Sequence, residues 1–301
     1  MLLPSDFTTL TSAEDRSVNH VYATPDGGYY ECRFVQREDG YFIVYLSSHS
    51  GCSYACRFCH LTATGQTMML PADAQSYAAQ SAKVFETYTQ RRAEGLVAAQ
   101  KVHFNFMARG EPLANEALLR EPASVFTPMG ELAMAHDLEA FFKVSSILPT
   151  TFTGDLVQVL ADPRAQLYYS LYSMKPAFRK RWLGKAMPAE AGLDLIADYQ
   201  ARTGRTIALH WAFIEGQNDS EADVAEILDA VVARGIRAKF NLVRYNPHDA
   251  RHGIEPTQAV LDARFAQIQA ALASIGGGDG SRQVPRVGHD VKASCGMFIE
   301  A

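Results

Sequence analysis

The sequence predicts an α/β protein: a partial, open (β/α)6 barrel with an N-terminal β-hairpin extension and a C-terminal tail. Three observations lead there. Short apolar strands alternate with helical stretches six times between residues 41 and 275, the pattern of a parallel sheet covered by helices. Neither an internal repeat nor a linker divides the 301 residues, and α/β barrels of roughly this size fold as one unit. The unusual polar residues come just after the strands, where such sheets carry their chemistry.

Taken in order, residues 28–46 read as a hairpin: YYECRFVQ, a turn at Arg37-Glu38-Asp39-Gly40, then YFIVYL. A loop rich in Cys and Gly follows. Tyr77, Ser81, Val84, Phe85 and Tyr88 then share one helical stripe closed by Gly95. KVHFNFM alternates like a strand. A helix over about 129–142 leads to the strand KVSSIL, and 154–161 reads as helical. QLYYSLY is a strand, 188–203 a helix, and TIALHWAFI a nearly continuous apolar strand. Ser220-x-x-Asp223 opens a helix ended by Gly235, KFNLVR is a strand, and 256–275 is the last long helix. The run Gly276–Ser281 reads as a flexible link to a tail ending in ASCGMFIEA. The expected division is therefore 1–40 for extension and first hairpin strand, 41–275 for the barrel, and 276–301 for link and tail, within one compact domain.

Composition narrows the function. A 48% hydrophobic share excludes disorder, and no apolar run approaches the roughly 18 residues of a membrane span. The N-terminus MLLPSDFTTL lacks a basic stretch followed by an apolar core, so no secretory signal is expected. With 28 basic and 33 acidic side chains, the charge of −5 argues against a polyanion binder held by global electrostatics, though a local patch would suffice. Arg179-Lys180-Arg181-Trp182…Lys185 is such a patch, or else a solvated helix face. The cysteines number five (Cys32, Cys52, Cys56, Cys59 and Cys295), an odd count that suits a metal or redox role in the cytoplasm rather than a disulfide framework.

Cys52, Cys56 and Cys59 follow the first barrel strand with C-x3-C-x2-C spacing. Zinc would need a fourth ligand, such as His60. A 4Fe–4S cluster on three thiolates instead leaves one iron open to a cofactor. The spacing and position match the signature of the radical-SAM superfamily, in which that iron is chelated by S-adenosylmethionine. Gly110-Glu111-Pro112 follows the second strand, where glycine permits close approach and a carboxylate suits an ammonium. Ser145, Ser170, Asn218 and Asn246 lie at the ends of the next four strands.

Together, SSHSGCSYACRFCHLTATGQ, GEPLAN, VSSILP, YSLYS, FIEGQNDS, NLVRYNP and GHDVKASCG resemble the RlmN/Cfr family of radical-SAM RNA adenine methyltransferases, in order over nearly the whole chain. The resemblance implies two molecules of S-adenosylmethionine. One methylates Cys295; the other, cleaved at the cluster, generates the radical that activates this methyl group for addition to an adenine carbon. It also implies Gly110 and Glu111 at the methionine moiety, Ser145, Ser170 and Asn246 at the ribose and carboxylate, and Glu31 in proton transfer. A flavodoxin- or ferredoxin-type reductant is implied, with an RNA or nucleotide-like small molecule as substrate and no membrane. The glycine link upstream suits Cys295 to a mobile carrier.

The sequence departs from the family in three places. The resolving cysteine, seven residues before the triplet, is replaced by Tyr45, and a phenol cannot do the same thiol exchange. Pairing Gln36 with Tyr41 sets Cys32 opposite Tyr45, with Cα atoms about 4.5–5.5 Å apart, so Cys32 is expected as the resolving thiol, or else as a small buried filler. The family's N-terminal accessory domain has no counterpart in the 27 residues before the hairpin, and Tyr172 replaces a histidine, which favours a smaller target. Two alternatives stand beside the methyltransferase: another radical-SAM reaction on a small molecule, with Cys295 as hydrogen donor or idle, and a non-catalytic iron–sulfur or zinc sensor.

Overall fold

The structure, a computed structural model, describes residues 6–300; the first five residues of the expected extension and the last of the tail lie outside them. All ten strands join one sheet in chain order. β1 (Thr8–Thr11), β2 (Val18–Ala23), β3 (Tyr29–Glu38) and β4 (Tyr41–Tyr45) pair antiparallel. From β4 the sheet is parallel through β5 (Lys101–Phe106), β6 (Glu139–Ser146), β7 (Ala165–Tyr169), β8 (Ile207–Trp211), β9 (Ala238–Leu242) and the short β10 (Arg282–Gln283). The expected six-unit open barrel is present, extended by two antiparallel strands at its N-terminal edge.

Nine α-helices are described. α1 (His60–Ala63) continues the cysteine loop, and α2 (Ala74–Ala93) is capped by the Asp73 carboxylate, which accepts from the Ser76 amide at 2.7 Å. α3 (Glu116–Arg120) and α4 (Pro122–Met134) come next. The helix expected over 129–142 thus begins earlier, with Pro122 in its first turn, and ends before β6. Residues 139–142 are strand because Ala140 and Phe142 alternate into the core beside β5. α5 (Leu156–Val159), α6 (Pro176–Trp182), α7 (Ala189–Thr203), α8 (Glu221–Ala233) and α9 (Gln258–Ser274) complete the set. The Ser220 hydroxyl caps α8 by accepting from the Asp223 amide at 3.1 Å. No described helix is long and apolar enough to cross a membrane.

Strand alternation divides the sheet into two chemistries. One row (Phe42, Val44, Phe104, Phe142, Leu167, Leu209 and Phe240) packs in the main core with the helices. The opposite row lines the barrel interior and is largely polar, including His103, Lys143, Ser145, Tyr168, His210, Lys239 and Asn241.

The glycine run corrects the expected link. Gly276, Gly278 and Gly280 have φ of +72°, +90° and +76°, and Gly278 donates to the Ala238 carbonyl at 2.8 Å. A Cβ at Gly277 would stand 2.7 Å from that same carbonyl oxygen. These glycines make a tight turn that delivers β10 to the sheet.

Candidate functional site

The cysteine loop is held by its neighbours before any cofactor is considered. The Ser47 amide donates to the Gln80 side chain at 2.8 Å, the Ser48 amide to the Arg109 carbonyl at 2.8 Å, and the Cys52 amide to the Gln66 carbonyl at 3.0 Å. These bonds fold the loop over the C-terminal ends of β4 and β5. Cys52, Cys56 and Cys59 line one cavity together with Gly110, Glu111, Ser145, Ser170 and Cys295. Cysteines and polar residues scattered over some 240 positions of sequence thus share one space.

Gly110 has φ +92°, and a Cβ there would stand 2.7 Å from the His49 backbone nitrogen; only glycine fits. Glu111 is buried, and its two carboxylate oxygens accept from the Leu113 amide at 2.9 Å and the Ile147 amide at 3.2 Å. Burial pushes its pKa up to about 7, despite these bonds. A cationic group in the cavity would restore its charge. Tyr172, at φ +61°, stacks on Phe58 with ring centroids 4.5 Å apart and forms one wall.

The tail that carries Cys295 is anchored from both sides. Arg33 Nη1 donates to the Ser294 carbonyl at 3.3 Å and Nη2 to that of Met297 at 2.7 Å; Arg109 Nη2 donates to the Ile299 carbonyl at 2.7 Å. Glu31 joins these groups, accepting from Arg33 Nη2 at 2.8 Å, Arg109 Nε at 2.8 Å, Asn19 Nδ2 at 2.9 Å and the Ile299 amide at 3.0 Å.

Known proteins resemble this chain in sequence and in fold. No family model matches the chain. It is 23% identical over 304 aligned residues to the dual-specificity RNA methyltransferase RlmN of Wolinella succinogenes, covering 96% of this chain and 78% of that protein. It is 26% identical to the probable RlmN of Salinibacter ruber, covering 95% and 74%. The crystal structure of a radical SAM methyltransferase from Sphaerobacter thermophilus has the same fold, with a TM-score of 0.72 at 19% identity over 97% of this chain and 81% of that one. Streptococcus suis SuiB bound to S-adenosylmethionine matches with a TM-score of 0.55 at 13% identity, covering 83% and 51%. The chain is similar to RlmN over nearly its whole length and has the fold of a radical SAM methyltransferase.

The cofactors that the sequence resemblance implies are a 4Fe–4S cluster and S-adenosylmethionine. The thiols suit the cluster. All three are free, and the backbone amides of Tyr54 at Cys52 and of Leu61 and Thr62 at Cys59 act in the direction that favours the thiolate. Such N–H groups stabilise cluster thiolates. Burial pushes the Cys52 thiol up to about 12 and Cys59 to about 11, so a bound metal centre is what would hold them ionised. Among the described residues, no three His, Cys, Asp or Glu side chains converge on a point fit for a single ion. A cube takes one thiolate per iron, so its ligands stand further apart than those of zinc. His60, the candidate fourth zinc ligand, has its Nε2 engaged with the Asn246 carbonyl at 3.0 Å.

Several expectations require correction. The hairpin turns on two residues, Asp39 and Gly40, with Glu38 facing Tyr41, but a bulge between Val35 and Glu38 then shifts the register. Arg33, not Cys32, stands opposite Tyr45. One residue of slip turns Cys32 to the other face of the sheet, where it pairs with His20 and is fully buried in the core. Burial pushes its thiol well above the usual range. Cys32 is the small core filler and not a resolving thiol.

Glu31 is a structural anion. Burial opposes its charge, but the Arg33 and Arg109 guanidiniums outweigh this and hold it below the usual carboxylate range. With both oxygens engaged, the carboxylate clamps the tail. Asn246 stands beside the thiol-lined cavity, its Nδ2 donating to the Cys295 carbonyl at 2.9 Å, a bond that positions the tail. Asn218 likewise ties strand ends together, accepting from the Ile214 amide at 2.8 Å and donating to the Tyr172 carbonyl at 3.1 Å. The basic patch is divided: Arg179 and Trp182 are internal, with Arg179 Nη1 donating to the Leu171 carbonyl at 2.7 Å, so no indole is available to stack on a base. Arg33 and Arg109 are the site residues that the sequence reading missed. Their signal was a cation two residues after Glu31, between Cys32 and Phe34, and one immediately before Gly110.

Proposed function

We propose that this enzyme methylates an sp2 carbon of adenine, or of a related heteroaromatic base, in an RNA or a smaller nucleotide-like molecule, with Cys295 carrying the methyl group. The observation that supports this most is that Cys295 lines the same cavity as the cysteine triplet. Bound there, the cluster and S-adenosylmethionine supply a transferable methyl group and, on one-electron reduction, a 5′-deoxyadenosyl radical. Cys52, Cys56 and Cys59 hold the cluster. Glu111 receives the methionine ammonium, the backbone at Gly110 lies against the same moiety, and Ser145 and Ser170 meet the ribose. Glu31, Arg33 and Arg109 hold the tail so that Cys295 faces this space. The electron comes from a flavodoxin- or ferredoxin-type donor in the cytoplasm. The RNA substrate of the RlmN relatives suggests the base, and the altered residues Tyr45 and Tyr172 suggest a different setting for it.

One observation favours a second reading. Among the described residues, no cysteine beyond the triplet and Cys295 lines the cavity, and Tyr45, which takes a hydrogen bond from Arg37 Nη2 at 2.9 Å, occupies the resolving position. In that reading Cys295 donates a hydrogen atom to a substrate radical. Anaerobic incubation with labelled S-adenosylmethionine, followed by peptide mass analysis, separates the two. A labelled methyl group on Cys295 is the expected result; 5′-deoxyadenosine released with Cys295 unmodified would establish the second reading.

A further inference from the structure

At the end of the barrel away from the thiols, a second cavity of about 700 Å³ opens between the inner faces of the parallel strands. Five cationic side chains line it, Lys143, Lys239, Arg282, Arg164 and Arg205, and no Asp or Glu does among the described residues. In a chain of net charge −5 this is a pronounced local reversal. The two peripheral carboxylates reach only the arginines: Asp162 meets Arg164 at 2.7 Å, and the exposed Glu38 is 3.8 Å from Arg282.

The lysines have no such relief. Lys143 is only 7% exposed, and its Nζ lies 2.6 Å from His103 Nδ1. That imidazole is kept neutral by burial and by the lysine itself, with its pKa lowered to about 2. Lys143 and Lys239 approach the same Tyr168 ring, at 5.6 and 5.4 Å from its centroid. Burial, then Arg282 and Lys239, lowers the Lys143 pKa; burial and Arg282 lower that of Lys239. Cations gathered around one space, without anions, leave the protein strained in a way that a bound anion would relieve.

The remaining walls indicate the kind of anion. Asn241 lines the cavity and is 4% exposed, and its Oδ1 has no hydrogen-bond partner, leaving an acceptor for a hydroxyl or amino group. Phe141 and Tyr168 add aromatic surface, and the volume exceeds what inorganic phosphate needs. We propose that this cavity binds a small phosphorylated molecule of nucleotide size, its phosphates held by Lys143, Lys239 and Arg282 and its hydroxyl-bearing part by Asn241. The site is separate from the thiol-lined cavity and does not depend on the function assigned there.

Thermal melting and isothermal titration of the full chain test this with pyrophosphate, ADP and adenosine, each against potassium chloride at matched ionic strength. Saturable binding of pyrophosphate and ADP is expected, with neither adenosine nor salt reproducing it. Lys143→Met/Lys239→Met should weaken both at least tenfold. Arg282→Gln, at a more exposed position, should weaken them severalfold even where the double variant folds poorly. A response equal to that of salt, adenosine binding as well as ADP, or unchanged pyrophosphate affinity in Arg282→Gln and the folded double variant would overturn the proposal.

Discussion

The two ends of the same parallel strands carry opposite chemistries. Beyond the C-terminal ends, three thiols, the Cys295 tail and the buried Glu111 surround a space suited to a cationic cofactor; toward the N-terminal ends, lysines and arginines surround a space that no carboxylate lines among the described residues. Ser145 belongs to the first space and Lys143, two residues earlier on β6, to the second. Both project from the inner row, while Phe142 and Val144 between and beside them pack outward in the core. A half-open barrel thus leaves its inner row free of the packing demands placed on the outer one, and each end can be tuned separately.

The sharpest test of that independence is to disable one end. Cys56→Ala is expected to cut reductive cleavage of S-adenosylmethionine by about a hundredfold or more, since a proposed cluster ligand is lost. The visible absorbance of the reconstituted protein should fall with it. Pyrophosphate binding at the other end should be unchanged, and a parallel loss of both would show the two spaces to be coupled.

Next in size is the clamp beneath the upper space. Glu31→Gln leaves Arg33 and Arg109 buried with their shared anion removed, and breaking a buried ionic group in this way costs about 3–5 kcal/mol. Denaturant titration should show this loss, and amide hydrogen exchange should rise over residues 291–299, whose backbone the network holds. Loss of stability without faster exchange in the tail would mean that the clamp supports the sheet and not the position of Cys295.

Glu111 gives the upper end a signature in pH. Its pKa rises from an ordinary 4.5 to about 7 in the folded protein without cofactor, so the folded state holds the proton more tightly than the unfolded chain. The associated stability is fully present below pH 4.5 and is lost as pH rises through 7, up to about 3 kcal/mol. Glu111→Gln should remove that part of the stability–pH curve, and S-adenosylmethionine, by supplying an ammonium, should shift it to lower pH. A curve identical in the variant would place the titration elsewhere.

Much of this arrangement is legible in the sequence, and the exceptions have physical causes. The six parallel strands stand out because their outer rows are apolar and separated by helix-length stretches; the thiol triplet stands out because its spacing is rare in other contexts. β1 and β2 escape notice because Thr8–Thr11 is exposed and VNHVYA mixes polar residues into both faces. The face on which Cys32 lies depends on a one-residue bulge, and alternation alone does not reveal an irregularity between Val35 and Glu38. Gly276–Gly280 suggests entropy when read as composition, yet three positive φ angles and the contact with Ala238 make it a defined turn. Buried arginines such as Arg33 and Arg109 look like surface charges until the partner, here Glu31 and the tail carbonyls, comes from a distant segment.

The smallest effect discriminates at the lower end, because its sign differs from that of an ordinary core substitution. Removing a buried side chain normally destabilises, by about 2–5 kcal/mol for a large apolar residue. Lys143 has a buried amine whose charged form burial, Arg282 and Lys239 disfavour, with a neutral imidazole and an aromatic ring as neighbours and, among the described residues, no carboxylate paired with it. Lys143→Met keeps most of the volume and removes the desolvated charge, so in the absence of anions it should stabilise the protein, by about 1–2 kcal/mol. Added pyrophosphate should then stabilise wild type and not the variant, narrowing or reversing the difference. A variant less stable than wild type in anion-free buffer would mean that the ammonium is already compensated in the folded protein, and that the space below the barrel does not need an anion to complete it.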